Sequence, residues 1–206
     1  MAADADKAVW ELRESGFDIA RASYHETVMA VGNGRIGTRA SLDEGHRGAL
    51  SGTYLAGVYD AHDSPVVDLV NLPDWLCTEV WIDGRRLDVD TLEVLDHERV
   101  LDLRTGLLTR STTFTHPTAG AVRLVTARLA SMADRDVCAL RVEVTALDQD
   151  AEITVVTGLD AERRNLDRLP LYLGAPVLPP ERRWEKWARS QHLRTLAREA
   201  GERGGL

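Results

Sequence analysis

Six runs of alternating apolar and polar residues, rich in β-branched and aromatic side chains, follow one another with short breaks: TYLAGVYD (53–60), LCTEVWID (76–83), LLTRSTTFT (107–115), GAVRLVTARLAS (120–131), VCALRVEVTAL (137–147) and AEITVVTGL (151–159). A period of two puts successive side chains on opposite faces of a strand, so each run offers one face to a core and one to water. No helical stretch long enough for a parallel crossover separates them, which excludes a βαβ architecture. Asp83-Gly84, Thr105-Gly106 and HPTAG (116–120) fill the gaps with turn chemistry, and RVLDLRTGLLTRSTTF reads as a long hairpin closing at Gly106. In VRLVTARLAS, Val122, Leu124 and, past a local irregularity, Leu129 are expected to face inward, and Arg123, Thr126 and Arg128 water. Many antiparallel strands with short turns predict a mainly β fold, an antiparallel sandwich.

Upstream, AVGNGRIGTRASLDEG (30–45) carries Gly32, Gly34 and Gly37 in the G-x-G-x-x-G spacing of a dinucleotide-binding loop. That loop requires a strand before it and a helix after it, whose N-terminal amides face the pyrophosphate. ETVMAV (26–31) reads as the strand, but TRASLDEGHRGALSG has no apolar residues at helical spacing. Asn33-Gly34 is a hairpin signal for a type I′ turn. The segment is therefore expected to be a glycine turn between strands, and a nucleotide-binding enzyme is the least favoured reading.

Helices are expected only at the ends. Residues 7–14 form a short one, and residues 181–203 an amphipathic one, with Trp184, Trp187, Leu193 and Leu196 on one side and a Glu185–Arg189 pair at i, i+4. Residues 1–170 then make the sandwich domain and 171–180, within a proline-rich stretch, the linker. With 44% hydrophobic and 28% charged residues the chain sits in the ordinary globular range. The start, MAADADKAVWELRESG, is acidic where a signal peptide is basic and then apolar, and no run has the length of a membrane span. A cytoplasmic, non-membrane protein is expected. Cys77 and Cys138 lie far apart in strand-like runs, as buried thiols. The net charge is −8, although residues 181–203 hold seven Lys/Arg against four Asp/Glu, so the body is more acidic still. Such a body repels phosphate backbones and disfavours nucleic-acid binding.

Among residues able to carry chemistry, the loop carboxylates Asp43, Glu44, Asp60, Asp63 and Asp74 are candidates for the facing pair of a glycosidic-bond enzyme. Turns favour Asp, and the expectation for each is a solvated turn acid. His25, His46, His62, His97, His116 and His192 show no ligand-cluster spacing, so no metal is expected. Ser41, Ser51 and Ser64 lack a nucleophile elbow. VNLPDWL (70–76) is the most informative loop: Pro73 holds Leu72 extended, Asp74 can bond the local backbone, and Trp75 presents a flat ring able to stack on a sugar, with packing beside Leu72, Leu76 and Trp81 the plainer role. Asp74 and Trp75 are the substrate-binding candidates. Trp184 and Trp187 are expected to form a docking face.

Taken in order, ETVMAVGNGRIGTRASLDEG, GTYLAGVYD, LVNLPDW, VWIDG, the hairpin region and TGLDAERRN resemble the N-terminal domain of glycoside hydrolase family 65, the family of maltose, trehalose and kojibiose phosphorylases. The resemblance covers residues 10 to about 167. It implies part of a galactose-mutarotase-like super-sandwich that precedes an (α/α)6 barrel carrying the general-acid glutamate and the phosphate site. It also implies that this chain stops before any barrel and short of the last sandwich strands, so the family's catalytic residues have no positions here. The activity implied for a complete enzyme is inverting phosphorolysis of an α-linked disaccharide, with inorganic phosphate as co-substrate and no cofactor. The chain alone is expected to be an inactive domain supporting the barrel, with a free-standing carbohydrate-binding module as the alternative. An uncovered sheet edge or inner face implies self-association, a homodimer or a poorly soluble chain, unless the 181–203 helix covers it.

Overall fold

The structure is a computed structural model and describes residues 9–60 and 67–161. The expected linker 171–180 and helix 181–203, with the Glu185–Arg189 pair, His192, His62 and Asp63, lie outside the described residues.

Among the described residues thirteen strands follow in order: β1 (Glu11–Ser15), β2 (Val31–Gly32), β3 (Ile36–Thr38), β4 (Thr53–Leu55), β5 (Tyr59–Asp60), β6 (Asp68–Leu69), β7 (Thr78–Ile82), β8 (Arg85–Arg86), β9 (Val94–Asp102), β10 (Leu107–His116), β11 (Gly120–Ala130), β12 (Cys138–Ala146) and β13 (Ile153–Thr157). One α-helix, α1 (Ala22–Val28), lies between β1 and β2. The largest sheet has the order β1-β9-β10-β11-β12, and smaller sheets have the orders β13-β7-β8, β2-β3-β4 and β5-β6. Every pairing is antiparallel. Phe114, Val122 and Leu124 of the large sheet share one buried cluster with Val80 and Ile82 of β7 and with Leu87, so the large sheet and the β13-β7-β8 sheet meet face to face. This is the antiparallel sandwich expected from the alternation.

The hairpins follow from local chemistry. At Asp83-Gly84 both residues have positive φ, 48° and 76°, as a type I′ turn demands, and β8 returns at once along β7. Gly106 (φ 68°) closes the β9–β10 hairpin with Asp102 opposite Leu107. The glycine segment is a hairpin too, with Gly32 opposite Gly37 and no helix after it. Its turn sits one residue later than the type I′ expectation. Only Gly34 has positive φ, and Asn33 instead uses its side chain, whose Oδ1 accepts from the amides of Arg35 and Ile36 at 3.0 and 2.9 Å. Asn33 Nδ2 also donates to the carbonyls of Ser131 and Arg135, at 2.7 and 3.1 Å, tying this turn to the loop after β11.

Three local expectations are corrected. Residues 11–15 are a strand, β1, because ELRES pairs along β9 with Glu14 opposite Arg99, and a tertiary pairing overrides a short helical pattern. ETVMAV is not a strand throughout. Asp18 accepts the Ala20 amide at 2.9 Å and starts a 3-10 turn leading into α1, which continues to Val28. The helical period is carried by Ala22, His25 and Glu26, at i, i+3 and i+4, and two of these buried residues are polar, which hid it. Third, β11 has no irregularity: it alternates through Val122, Leu124, Thr126 and Arg128, all buried, and of the expected wet face only Arg123 is exposed. The run 53–60 is interrupted at Gly57 (φ 83°), leaving β4 and β5.

Phe114, fully buried where the two sheets meet, tests this core. Phe114→Ala is expected to lower unfolding free energy by about 3–5 kcal/mol, read from urea denaturation; a loss below about 1 kcal/mol would contradict the face-to-face packing.

Candidate functional site

The inner face of the large sheet is interrupted by charge. Leu101 and Leu108 belong to one apolar cluster with Met29, Val31 and Ala40, while Phe114, Val122 and Leu124 belong to the other. Between them the alternation brings His97, Arg99, Arg110, Thr112, Thr126 and Arg128 inward, all buried. Register places Glu14, Arg99, Arg110 and Thr126 side by side across four strands. Two guanidinium groups directly opposite repel unless acids interleave them.

The acids come from separate segments. Glu14 Oε2 receives Arg99 Nε and Nη2 at 2.7 Å each. Glu44 takes Arg110 in a bidentate pair, Nη1 to Oε2 at 2.5 Å and Nη2 to Oε1 at 2.6 Å. Asp43 Oδ1 lies 3.3 Å from Arg128 Nη1, and Asp43 Oδ2 lies 3.9 Å from Arg110 Nη1. Backbone oxygens complete the set: Ala40 O accepts from Arg99 Nη1 at 2.5 Å and Ser41 O from Arg128 Nη2 at 2.6 Å. ASLDE thus lies over the sheet as irregular backbone whose carbonyls and carboxylates the arginines use.

Histidines extend the layer. Arg110 Nε donates to Thr112 Oγ1 at 2.9 Å, which leaves the Thr112 hydroxyl to donate to His97 Nδ1 at 2.8 Å and His97 Nε2–H to face Glu14 Oε2 at 3.4 Å. Burial pushes His97 below its ordinary value, against the Glu14 contact, which is consistent with this neutral tautomer. Burial alone would raise the Glu14 carboxyl, but the His97 hydrogen bond and the Arg99 guanidinium outweigh it and hold Glu14 at about 2. His25 Nδ1 is 2.7 Å from the other Glu14 oxygen. His46 differs: Nε2 faces Glu26 Oε1 at 3.0 Å and Nδ1 faces Arg47 O at 3.1 Å. Both nitrogens meet acceptors, so the imidazolium is favoured, and the Glu26 hydrogen bond raises His46 above its usual range despite burial.

Beside this layer lies a cavity of about 280 Å³, walled in part by Asp43, Glu44, Asp74, Thr78, Glu79 and Arg86. Arg86 Nη2 donates to Glu44 O at 2.5 Å and lies 3.8 Å from Glu79. Asp74 accepts the Leu76 amide at 2.9 Å, and its backbone pairs with Asp160. Trp75 is half-buried and its Nε1–H donates to Thr38 Oγ1 at 3.0 Å.

The structure therefore brings Asp43, Glu44 and Asp74 together at one cavity and leaves Asp60 exposed on β5. The expectation of solvated turn acids is corrected for those three, which are 4%, 2% and 6% exposed. Guanidinium groups, local amides and folded chain replace water around them. Cys77 and Cys138 form no disulfide among the described residues and are half-buried rather than buried. Among the described residues no group of His, Cys, Asp and Glu could hold a metal, and no helix is long and apolar enough to cross a membrane. Sequence reasoning missed Glu14, Arg99, Arg110, Arg128 and Thr78. The available signal was register: in Leu108-x-Arg110-x-Thr112-x-Phe114 the arginine occupies a core-facing position of an otherwise inward row.

Fold and site together define an antiparallel β-sandwich domain with a buried arginine–carboxylate layer and a polar cavity at its margin. Residues 12–205 match the N-terminal domain of glycosyl hydrolase family 65, and the chain belongs to that family. An uncharacterized glycosyl hydrolase of Mycobacterium leprae is 33% identical over 96% of this chain and 25% of its own length. The kojibiose phosphorylase of Escherichia coli strain K12 is 33% identical over 76% of this chain, and that of Halothermothrix orenii 26% identical over 76%, each matched across 20% of its length. A solved structure from the human microbiome, assigned as a kojibiose phosphorylase, shares the fold with TM-score 0.69 and 24% identity, over 75% of this chain and 22% of its own. The chain thus spans a quarter or less of the length of these relatives.

Two measurements test the charged layer. Arg110→Ala leaves Glu44 buried without its bidentate partner and is expected to cost about 3–5 kcal/mol in urea denaturation. Glu14 has a folded value of about 2 against an ordinary 4.5, so its contribution is intact above pH 4.5 and lost as pH falls toward 2. The lost stability is roughly 3 kcal/mol, and Glu14→Gln is expected to remove that part of the acid dependence. An unchanged slope in the variant would show that Glu14 carries none of it.

Proposed function

We propose that this chain is the supporting β-sandwich of an enzyme acting on α-glucosidic disaccharides such as kojibiose, maltose or trehalose, whose catalytic (α/α)6 barrel is supplied by sequence beyond these 206 residues. The carrying observation is that the match is to a family's N-terminal domain and spans a quarter or less of the relatives' length. The reaction proposed for the complete enzyme is inverting phosphorolysis, in which phosphate attacks the anomeric carbon opposite the leaving sugar, a barrel glutamate protonates the leaving oxygen, and no cofactor takes part. The sandwich contributes shape: its charged layer holds residues 40–44, Thr38 and Asp160 hold the loop bearing Trp75 and Asp74, and both loops are proposed to face the sugar side.

The β13 strand supports a further contact surface. Ile153, Val155 and Val156 are 39%, 45% and 50% exposed, and among the described residues this edge strand pairs with β7 alone. An apolar open edge favours association, and the isolated chain is expected to elute as a dimer or larger species in size-exclusion chromatography. A stable monomer at high concentration would count against it. For the supporting role itself, purified chain incubated with phosphate and kojibiose, maltose or trehalose is expected to release no sugar phosphate. Measurable turnover would overturn the reading.

A further inference from the structure

We propose that the cavity between the ASLDEGH loop and the start of β7 binds a neutral polyhydroxylated ring, a single hexose unit, through Thr78 and Asp43. Two buried atoms point to a ligand. Thr78 is 3% exposed and Asp43 4% exposed, both wall the cavity, and among the described residues neither Thr78 Oγ1 nor Asp43 Oδ2, which lies 3.9 Å from Arg110 Nη1, has a hydrogen-bond partner. A buried polar atom left unpaired costs on the order of 1–3 kcal/mol, and here the two residues that carry such atoms wall one space. They are held close together, since the Thr78 amide donates to Asp43 O at 3.1 Å.

Size and charge select the ligand class. At about 280 Å³ the cavity lies at the small end of ligand pockets. Phosphate and other anions are repelled by the carboxylates of Asp43, Glu44, Asp74 and Glu79. A cation is not demanded, because Arg110 and Arg128 already face Asp43 and Glu44 from the sheet side and Arg86 faces Glu79. The remaining need is for several hydroxyls in fixed directions, each able to donate to a carboxylate or carbonyl and accept from Thr78 or Arg86. Vicinal hydroxyls of a pyranose meet it. Assigning the polyol as a sugar rests on the reading under Proposed function; the acceptor-rich chemistry does not.

Thr78→Val in the full 206-residue chain is the test. Because the Thr78 hydroxyl has no hydrogen-bond partner among the described residues, the isosteric change is expected to leave the urea midpoint unchanged or slightly higher, which a structural hydroxyl would not permit. Saturation-transfer NMR is then run with D-glucose, myo-inositol, inorganic phosphate and ethylenediamine. Saturable millimolar binding of glucose, weakened at least tenfold in Thr78→Val, with no saturation by phosphate, supports the proposal. Equal binding of inositol also supports it and marks the site as selective for polyols rather than sugars. No saturable binding of either polyol, affinity unaffected by Thr78→Val, or preference for ethylenediamine overturns it. Sugar-phosphate release, which decides the supporting role, is a separate readout, so the two readings fail independently.

Discussion

The pairing of Arg99 and Arg110 across β9 and β10 is the constraint on which the remaining structure depends. Two guanidinium groups on the buried face of a sheet are tolerable only if each finds a carboxylate with good geometry, because desolvation of an unpaired charge exceeds what one domain can absorb. The acids come from β1 and from residues 43–44, segments distant in sequence. Satisfying the pair therefore fixes where the edge strand lies and how the irregular loop crosses the sheet. An apolar layer would have been compatible with many loop positions; a bidentate Arg110–Glu44 contact admits one.

That constraint also divides the interior. Apolar clusters lie on either side, and the charged layer between them titrates in opposed senses. His97 is depressed by burial, so stability is lost as pH falls below about 6.5, where the unfolded imidazole takes up its proton first. His46 is raised by its Glu26 contact, so its contribution is complete below about 6.5 and fades as pH rises through the raised value. The two dependences oppose one another near neutrality, whereas Glu14, like the lowered carboxyls of Asp83 and Asp102, contributes its dependence at acid pH.

The strands were legible because their period is a property of single segments: β10 to β13 lie within two or three residues of the alternating runs, and Asp83-Gly84 and Gly106 turn where expected. What escaped was the content of the inner face. Arg110 and Arg128 look solvated when read alone, since arginine is mostly exposed, and only their register with Phe114 and Leu124 marks them as inward. The same blindness applied to Asp43 and Glu44, read as turn acids because the arginines that bury them lie some 66 to 85 residues further along the chain. Helix α1 was hidden for a related reason, its buried face being built partly from His25 and Glu26. Where a core is polar, hydropathy loses its period, although geometry keeps it.

The polar layer bears directly on the cavity beside it. Carboxylates in a pocket ordinarily relax toward water when no ligand is present, and binding must then reorder them. Here Glu44 is clamped by Arg110 on one oxygen pair and by Arg86 at its carbonyl, and Asp43 is set between Arg110 and Arg128. The wall is thus held by forces that act whether or not the space is filled. A loop so fixed offers acceptors in constant directions, the condition under which a weakly interacting, uncharged ligand can be held at all. The charged layer that the sheet must satisfy for its own sake is what makes an ordered recognition surface of the loop above it.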